Sequence, residues 1–164
     1  GPIMSAISVV MGSKSDWPTV KEGCKILDQF GVDYEKNVIS AHRMPNEMFA
    51  FAQNAVEKGT KVIIACAGGA AHLPGMIAAN TPLPVIGIPG QTKALGGMDS
   101  LLSIVQMPAG IPVATQAIGV AGAKNAALLA LQILGINDPA IQQQILDYRK
   151  QMHDQSVESG AHLD

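Results

Sequence analysis

Five short runs of strand-forming residues recur along the chain, and helix-like segments separate several of them. The runs occupy Ala6–Met11, Tyr34–Ile39, Val62–Ala67, Pro84–Ile88 and Pro112–Thr115. Most of them are continuously apolar, which is typical of strands that are buried on both faces. The pattern therefore predicts an α/β fold in which a parallel sheet is covered by helices on both sides.

Helical periodicity predicts the covering layers. A first helix is expected from about Trp17 to Phe30 and a second from Pro45 to Gly59. The stripe expected to be buried on the first helix is Val20, Cys24, Leu27 and Phe30. In the segment Ala121–Leu134 the residues from Ala126 onward are almost all apolar, so this helix should lie between the sheet and a neighbouring subunit. A final amphipathic helix starts at Asn137-Asp138-Pro139, and we expect it to dock on another subunit, with packing on its own sheet as the alternative.

The length of 164 residues fits one domain with a core of its own. We assign this domain to residues 6–154. Residues 1–5 are interpreted as an N-terminal end in which Gly1-Pro2 resembles a protease-cleavage remnant, and residues 155–164 as a polar tail.

Composition narrows the class of partner. Charged residues make up 15% of the chain and hydrophobic residues 48%, against about 25% charged residues in an average soluble domain. A chain with so few charges should bury part of its surface in an oligomer. The net charge of −2 and the lack of a basic cluster argue against nucleic-acid and anionic-membrane surfaces, so a small molecule is the expected ligand.

Cys24 and Cys66 lie in a helix-like and a strand-like segment, which favours two buried thiols in a reducing compartment over a disulfide. No apolar run is long enough for a bilayer and no secretory layout is present, so the expected location is the cytoplasm. Neither an ATP-binding phosphate loop nor a dinucleotide-binding fingerprint occurs, and no cluster has metal-ligand spacing.

Polar residues follow three of the predicted strands, where parallel sheets bind ligands. Gly12, Ser13, Ser15 and Asp16 follow the first strand and could bind a phosphate with backbone N–H groups and hydroxyls, although Ser15 or Asp16 could instead only cap the next helix. Asp16 could also accept hydrogen bonds from ribose hydroxyls.

The second loop, Ser40-Ala41-His42-Arg43, places a titratable imidazole beside a guanidinium. Arg43 suits bidentate contact with a phosphate, and the imidazole of His42 is a candidate to donate or accept a proton. If the first two strands are neighbours, Ser13 and Arg43 can bind the same phosphate. The alternative is a purely structural histidine.

The third loop, Ala67-Gly68-Gly69-Ala70-Ala71-His72, has five consecutive side chains no larger than a methyl group. Its exposed backbone donors could surround a carboxylate or CO2. A tight turn that ends in a helix-terminal histidine is the alternative.

Four motifs resemble the class I version of the PurE (AIR carboxylase) family. They are GSKSDW at 12–17, SAHRMP at 40–45, AGGAAHLPGM at 67–76 and MDSLLSIVQMPAGIPVAT at 98–115. The resemblance covers about residues 6–148. It implies a flavodoxin-like three-layer α/β/α sandwich with a five-stranded parallel sheet, a homo-octamer, and a step of purine biosynthesis that needs no cofactor or metal.

The resemblance also implies roles for individual residues. The catalytic residues would be His42 and His72. The substrate-binding residues would be Gly12, Ser13, Ser15, Asp16, Ser40, Ala41, Arg43, Ala67, Gly68, Gly69, Ala70, Ala71 and Leu73. The chain departs from the usual family pattern at Met44, Cys66, Ala114 and the loop Gly90-Gln91-Thr92, and none of these departures removes an implied catalytic group.

The implied reaction converts N5-carboxyaminoimidazole ribonucleotide (N5-CAIR) into 4-carboxy-5-aminoimidazole ribonucleotide (CAIR). It would proceed by loss of CO2 to aminoimidazole ribonucleotide (AIR) and recapture of CO2 at ring carbon C4, with His42 as general acid and base. Two alternatives stay open at this point. One is direct carboxylation of AIR by CO2, and the other is a noncatalytic protein that binds a nucleotide phosphate.

Overall fold

The computed structural model describes residues 5–163, and this part of the chain folds into five strands and six α-helices. The strands are β1 (Ile7–Met11), β2 (Tyr34–Val38), β3 (Val62–Ala67), β4 (Val85–Pro89) and β5 (Ala114–Thr115). The helices are α1 (Trp17–Gln29), α2 (Pro45–Asn54), α3 (Leu73–Ala78), α4 (Met98–Val105), α5 (Val120–Gly135) and α6 (Pro139–Ala161). The expected remnant Gly1-Pro2 lies outside the described residues.

The strands form one parallel sheet in the order β2-β1-β3-β4-β5. In the register, Ile7 pairs with Tyr34 on one side and with Val62 on the other. The chain winds from β1 to β2 at one edge and then returns past β1 to β3, so the direction of winding reverses between β1 and β3. Ligands of such sheets bind beyond the carboxyl ends of the strands at this reversal.

Two hydrophobic cores fill the two faces of the sheet and confirm the predicted three layers. One core joins the sheet to α1, α5 and the start of α6. The other joins it to α2, α3 and α4. The predicted α1 stripe of Val20, Cys24, Leu27 and Phe30 is buried in the first core.

Helices α1 and α5 pack closely because small residues face each other. A Cβ atom built on Gly23 of α1 would lie only 2.5 Å from the carbonyl oxygen of Ala123 in α5. Ala126, Ala127 and Ala130 continue the small face of α5 and are all buried. Helices α1 and α6 of the same subunit pack against α5, and covering of its remaining face by a neighbouring subunit stays a prediction.

The C-terminal helix begins where the sequence predicts, since Asp138 accepts hydrogen bonds from the backbone N–H groups of Ala140 and Ile141. The first half of α6 packs on its own subunit, where Ile141 and Ile145 are buried against α5, and docking of the exposed remainder on another subunit stays a prediction. Beyond this half the helix is exposed and continues to Ala161, into the range 155–164 that the sequence interpretation treats as a tail.

Several element ends differ from the sequence prediction. Strand β2 is an edge strand that ends at Val38, and its last three residues are exposed. Strand β5 has only two paired residues, and Pro112, which has no N–H group to donate, lies just before it. Helix α2 ends at Asn54, and turns lead from there to Gly59.

Within residues 5–163, no helix combines the length and the apolar character that crossing a bilayer requires.

Candidate active site

Strand β1 ends in a loop that points hydroxyl and carboxylate groups beyond the sheet. Residues Lys14–Asp16 form one short 3-10 turn, and the Ser13 hydroxyl accepts hydrogen bonds from the backbone N–H of Ser15 at 3.2 Å and from its hydroxyl at 3.0 Å. Asp16 stands before α1 without capping it through its side chain. The carboxylate of Asp16 therefore does not act as a cap of α1, which was the alternative to a role in ligand binding.

The loop after β2 lies directly beside the first loop. The backbone N–H of Ile39 donates to the Met11 carbonyl at 2.9 Å, which continues the pairing of the two strands. The Ser40 hydroxyl then accepts a hydrogen bond from the backbone N–H of Arg43 at 3.2 Å, which closes the turn that carries Ala41 and His42. The adjacency on which the shared phosphate contact of Ser13 and Arg43 depends is thus present.

The loop after β3 completes the group at the centre of the sheet. The backbone N–H of Gly12 donates to the Cys66 carbonyl at 3.0 Å, so the first and third loops start from the same level. Gly69 has a φ of +70°, a left-handed conformation that favours glycine, and it turns the chain back toward α3. Because of this turn, His72 lies at the beginning of α3, on the side of the second loop.

The three loops enclose a cleft of about 300 Å³. Every residue that the sequence assigns to the site lines this cleft except Gly69 and Ala71. Ala71 is buried in the core that includes α3, and the backbone N–H of Gly69 donates to the hydroxyl of Ser100 in α4. These two residues of the small-residue loop do not line the cleft, and contact of the loop with a ligand stays a prediction.

Two further residues, Gln91 and Thr92, line the cleft and were not assigned to the site from the sequence. They follow β4, whose carboxyl end lies at the same edge of the sheet as those of β1 and β3. The Thr92 hydroxyl donates to Asp99 at 2.6 Å and accepts from the backbone N–H of Gly97 at 2.9 Å, which fixes this loop against the start of α4. Their position after a fourth strand was the signal that could have identified them.

The two candidate catalytic histidines contact each other across the cleft. Nε2 of His42 lies 2.9 Å from Nδ1 of His72, and the two rings meet edge to face. One nitrogen donates and the other accepts, so the tautomers of the two rings depend on each other. A proton on His42 can therefore be held, or passed on, through His72.

Burial raises the pKa of the Asp16 carboxyl, although hydrogen bonds with the backbone of Ser13 and Gly12 act in the opposite direction. The carboxylate lies between the loops after β1 and β4, since Cβ atoms built on Gly12 and Gly90 would be 3.9 and 3.5 Å from its two oxygens. A carboxyl group kept partly out of water at this place can accept hydrogen bonds from ligand hydroxyls with little competition from solvent.

Burial also raises the pKa of the Cys66 thiol, and the neighbouring Asp16 adds to the shift. Cys66 is fully buried at the end of β3, so it forms part of the floor beneath the loops and is no nucleophile. No group of three or more His, Cys, Asp or Glu side chains within residues 5–163 is arranged to hold a metal ion.

Comparison with known proteins identifies relatives of the whole fold. The family model described as AIR carboxylase matches residues 6–155. The N5-carboxyaminoimidazole ribonucleotide mutase of Bacillus subtilis is 61% identical over 92% of this chain and 93% of its own, and that of Escherichia coli is 56% identical over 93% and 90%. The crystal structure of Treponema denticola PurE superposes with a TM-score of 0.86 at 26% identity, covering 96% of this chain and 98% of that one.

Proposed function

The chain belongs to the AIR carboxylase family, and we propose that it is an N5-CAIR mutase of purine biosynthesis. The mutases of Bacillus subtilis and Escherichia coli are similar to it over nine-tenths of its length. Such an enzyme is an isomerase whose substrate is a small ribonucleotide.

One observation supports this function above the others. A single cleft joins a hydroxyl-rich anion site, a guanidinium, an imidazole pair and a wall of glycine and alanine. A noncatalytic nucleotide-binding protein needs the first two of these groups but has no use for the paired histidines.

The binding groups divide between the two ends of the ribonucleotide. Ser13 and Ser15 offer hydroxyl and backbone N–H groups, and Arg43 offers a planar fork of donors to the ribose phosphate. Asp16 accepts hydrogen bonds from the ribose hydroxyls. This arrangement directs the aminoimidazole ring toward His42 and the loop 67–70.

In the first half of the reaction the bond between the exocyclic nitrogen and the carbamate carbon breaks. His42 donates a proton to that nitrogen, directly or through a relay, so AIR keeps an ordinary amino group and CO2 leaves. The small-residue wall formed by Ala67, Gly68 and Ala70 gives CO2 a place beside the ring. Holding it there makes recapture effectively unimolecular and keeps it from water.

In the second half, C4 of AIR attacks CO2, because the amino group makes this carbon nucleophilic. C4 then carries both its hydrogen and the new carboxylate. His42, now neutral, removes the C4 hydrogen as a proton and the ring becomes aromatic again. The histidine ends the cycle protonated as it began, and the net change is the transfer of the carboxylate from nitrogen to carbon.

The partners follow from the same proposal. We expect a homo-octamer, and the exposed apolar residues of and before α4 support burial of that face between subunits: Leu95, Met98, Leu102 and Val105. We also expect a cytoplasmic enzyme, which agrees with two buried thiols that form no disulfide. No cofactor or metal takes part in the proposed steps.

Turnover of freshly prepared N5-CAIR without ATP tests the function, beside AIR with bicarbonate as the second substrate mixture. Replacement His42→Asn should lower the rate by about 10²- to 10⁴-fold, the usual effect of losing a general acid and base, with little change in AIR binding measured by calorimetry. His153→Asn is a matched control, because His153 is an exposed histidine on α6.

Fast conversion of N5-CAIR with slow use of AIR and bicarbonate is the expected result. A preference for AIR and bicarbonate would make the protein a direct carboxylase. If neither mixture reacts while AIR still binds, the protein is a binding protein and the proposal is wrong. Near-native turnover of His42→Asn would contradict the role of His42 alone.

A further inference from the structure

Gly69, which turns the chain within the small-residue loop, is hydrogen-bonded to helix α4. Gly69 has a φ of +70° and does not line the cleft, whereas its neighbours Gly68 and Ala70 do. The direction in which these neighbours face therefore depends on how Gly69 is held. A Cβ atom built on Gly69 would meet no atom within 4 Å, so the side on which a side chain would stand is open.

Gly69 is held by hydrogen bonds to side chains of α4. Its backbone N–H donates to the hydroxyl of Ser100 at 3.0 Å. The hydroxyl of Ser103, one turn further along α4, lies 3.3 Å from the Gly69 carbonyl but only 2.6 Å from the Asp99 carbonyl. Because a hydroxyl has a single proton, Ser103 donates mainly to the Asp99 carbonyl. Ser100 is therefore the principal hydrogen-bond partner of Gly69.

Ser100 is placed unusually for a serine, since its side chain is fully buried. A serine inside a helix commonly turns its hydroxyl to the carbonyl four residues earlier. Ser100 instead accepts a hydrogen bond from a loop 31 residues away along the chain. Without this acceptor the Gly69 N–H would face a buried position with no partner, which the loop can avoid only by changing its conformation.

We propose that Ser100 is a positioning residue of the reaction, which holds the loop 67–70 in the shape that retains CO2 between its release and its recapture. The inference rests on the proposed mutase function. It assigns Ser100 no contact with the substrate, because the serine acts through Gly69 on the wall of the cleft. Loss of Ser100 should therefore affect retention of CO2 more than binding of the ribonucleotide.

The test uses N5-CAIR labelled with ¹³C in its carbamate carbon, with unlabelled bicarbonate in the solution. CO2 that stays in the cleft carries the label into CAIR, whereas CO2 that escapes leaves AIR, or CAIR without label. For Ser100→Ala we expect the ratio of escape to retention to rise about tenfold, which corresponds to about 1.4 kcal/mol for one unpaired N–H. The half-saturating concentration of N5-CAIR should stay within about twofold, since the binding of the ribonucleotide does not involve Ser100.

Ser103→Ala is the matched control, because it removes a hydroxyl from the same helix but leaves the Gly69 N–H with its acceptor. Its labelled fraction should equal that of the unchanged protein. Gly69→Ala is the second variant, as its Cβ meets open space and the left-handed φ alone disfavours alanine. It should lose label as Ser100→Ala does, even if Ser100→Ala fails to fold.

The outcomes separate this inference from the proposed function. If the unchanged protein does not convert N5-CAIR, the function is wrong. If it converts N5-CAIR but Ser100→Ala and Gly69→Ala keep the normal labelled fraction, the function stands and the positioning role is wrong. A rate that falls without any change in the labelled fraction would show a general structural role for Ser100 and would also refute the inference.

Discussion

Replacement of Gly23 by alanine should destabilise the fold, because it separates two helices that now touch. Gly23 lies in α1 directly opposite the backbone of Ala123 in α5. The added Cβ would be 2.5 Å from the Ala123 carbonyl oxygen, and real Cβ contacts essentially never fall below 3.0 Å. The two helices would have to move apart by at least about 0.5 Å, with no flexible side chain able to move aside instead.

The size of the effect follows from two opposing contributions. Overpacking a closely packed core costs about 1–3 kcal/mol, and a backbone partner that cannot rotate away places this site near the upper end, about 3 kcal/mol. Alanine is better than glycine inside a helix by about 1 kcal/mol, which offsets part of this cost. We therefore expect Gly23→Ala to lose about 2 kcal/mol, or about 4–8 °C in melting temperature for a domain of this size.

Thermal unfolding followed by circular dichroism measures the loss, at one fixed protein concentration because assembly also affects the melting temperature. Gly160→Ala is the control, since Gly160 lies in α6 and a Cβ there meets no atom within 4 Å. Its melting temperature should be unchanged or slightly higher. A Gly23→Ala protein that melts at or above the temperature of the unchanged protein would refute the reasoning from the contact between α1 and α5.

Two further predictions concern charge and thiol chemistry. Because burial raises the pKa of Asp16 above 3.8, the folded protein binds more protons than the unfolded chain in that pH range, and stability falls as the pH rises through it. Asp16→Asn should therefore melt at a higher temperature than the unchanged protein at pH 7 but not below pH 3.8, while losing ribonucleotide affinity; a lower melting temperature at pH 7 would contradict this. Burial raises the pKa of both Cys24 and Cys66, so neither thiol should react with an aromatic disulfide reagent in the folded protein at pH 7, and both should react after unfolding. Rapid labelling of either thiol in the folded state would show that its surroundings open.

The sheet could be predicted from the sequence where burial on both faces forces a continuous apolar run. Strand β3 has the predicted bounds because each of its residues is buried. Strand β5 could not be delimited in the same way, since its two paired residues are only partly covered and leave little pattern. The packing of α6 on α5 could not be predicted from the sequence either, because Ile141 and Ile145 would be apolar whichever helix they contacted.

The candidate site was predictable as three loops but not in its geometry. Strand ends and residue types are visible in the sequence, and the pairing of β1 with both β2 and β3 brings them together. The contact between His42 and His72 depends on how two loops turn, and that information lies in hydrogen bonds such as the one from Arg43 to Ser40. The contribution of α4 was invisible for the same reason, because Ser100 reaches its partner only in the folded chain.

The two edges of the sheet have a consequence for aggregation. The edge strand β2 carries the exposed residue Lys36. The other edge strand, β5, has only two paired residues, and Pro112 lies just before it. A charged residue, a very short strand and a nearby proline each make an edge a poor template for adding another strand. We therefore expect copies of this chain to associate through side chains and not by extending the sheet, so that concentrated solutions resist growth of cross-β fibrils.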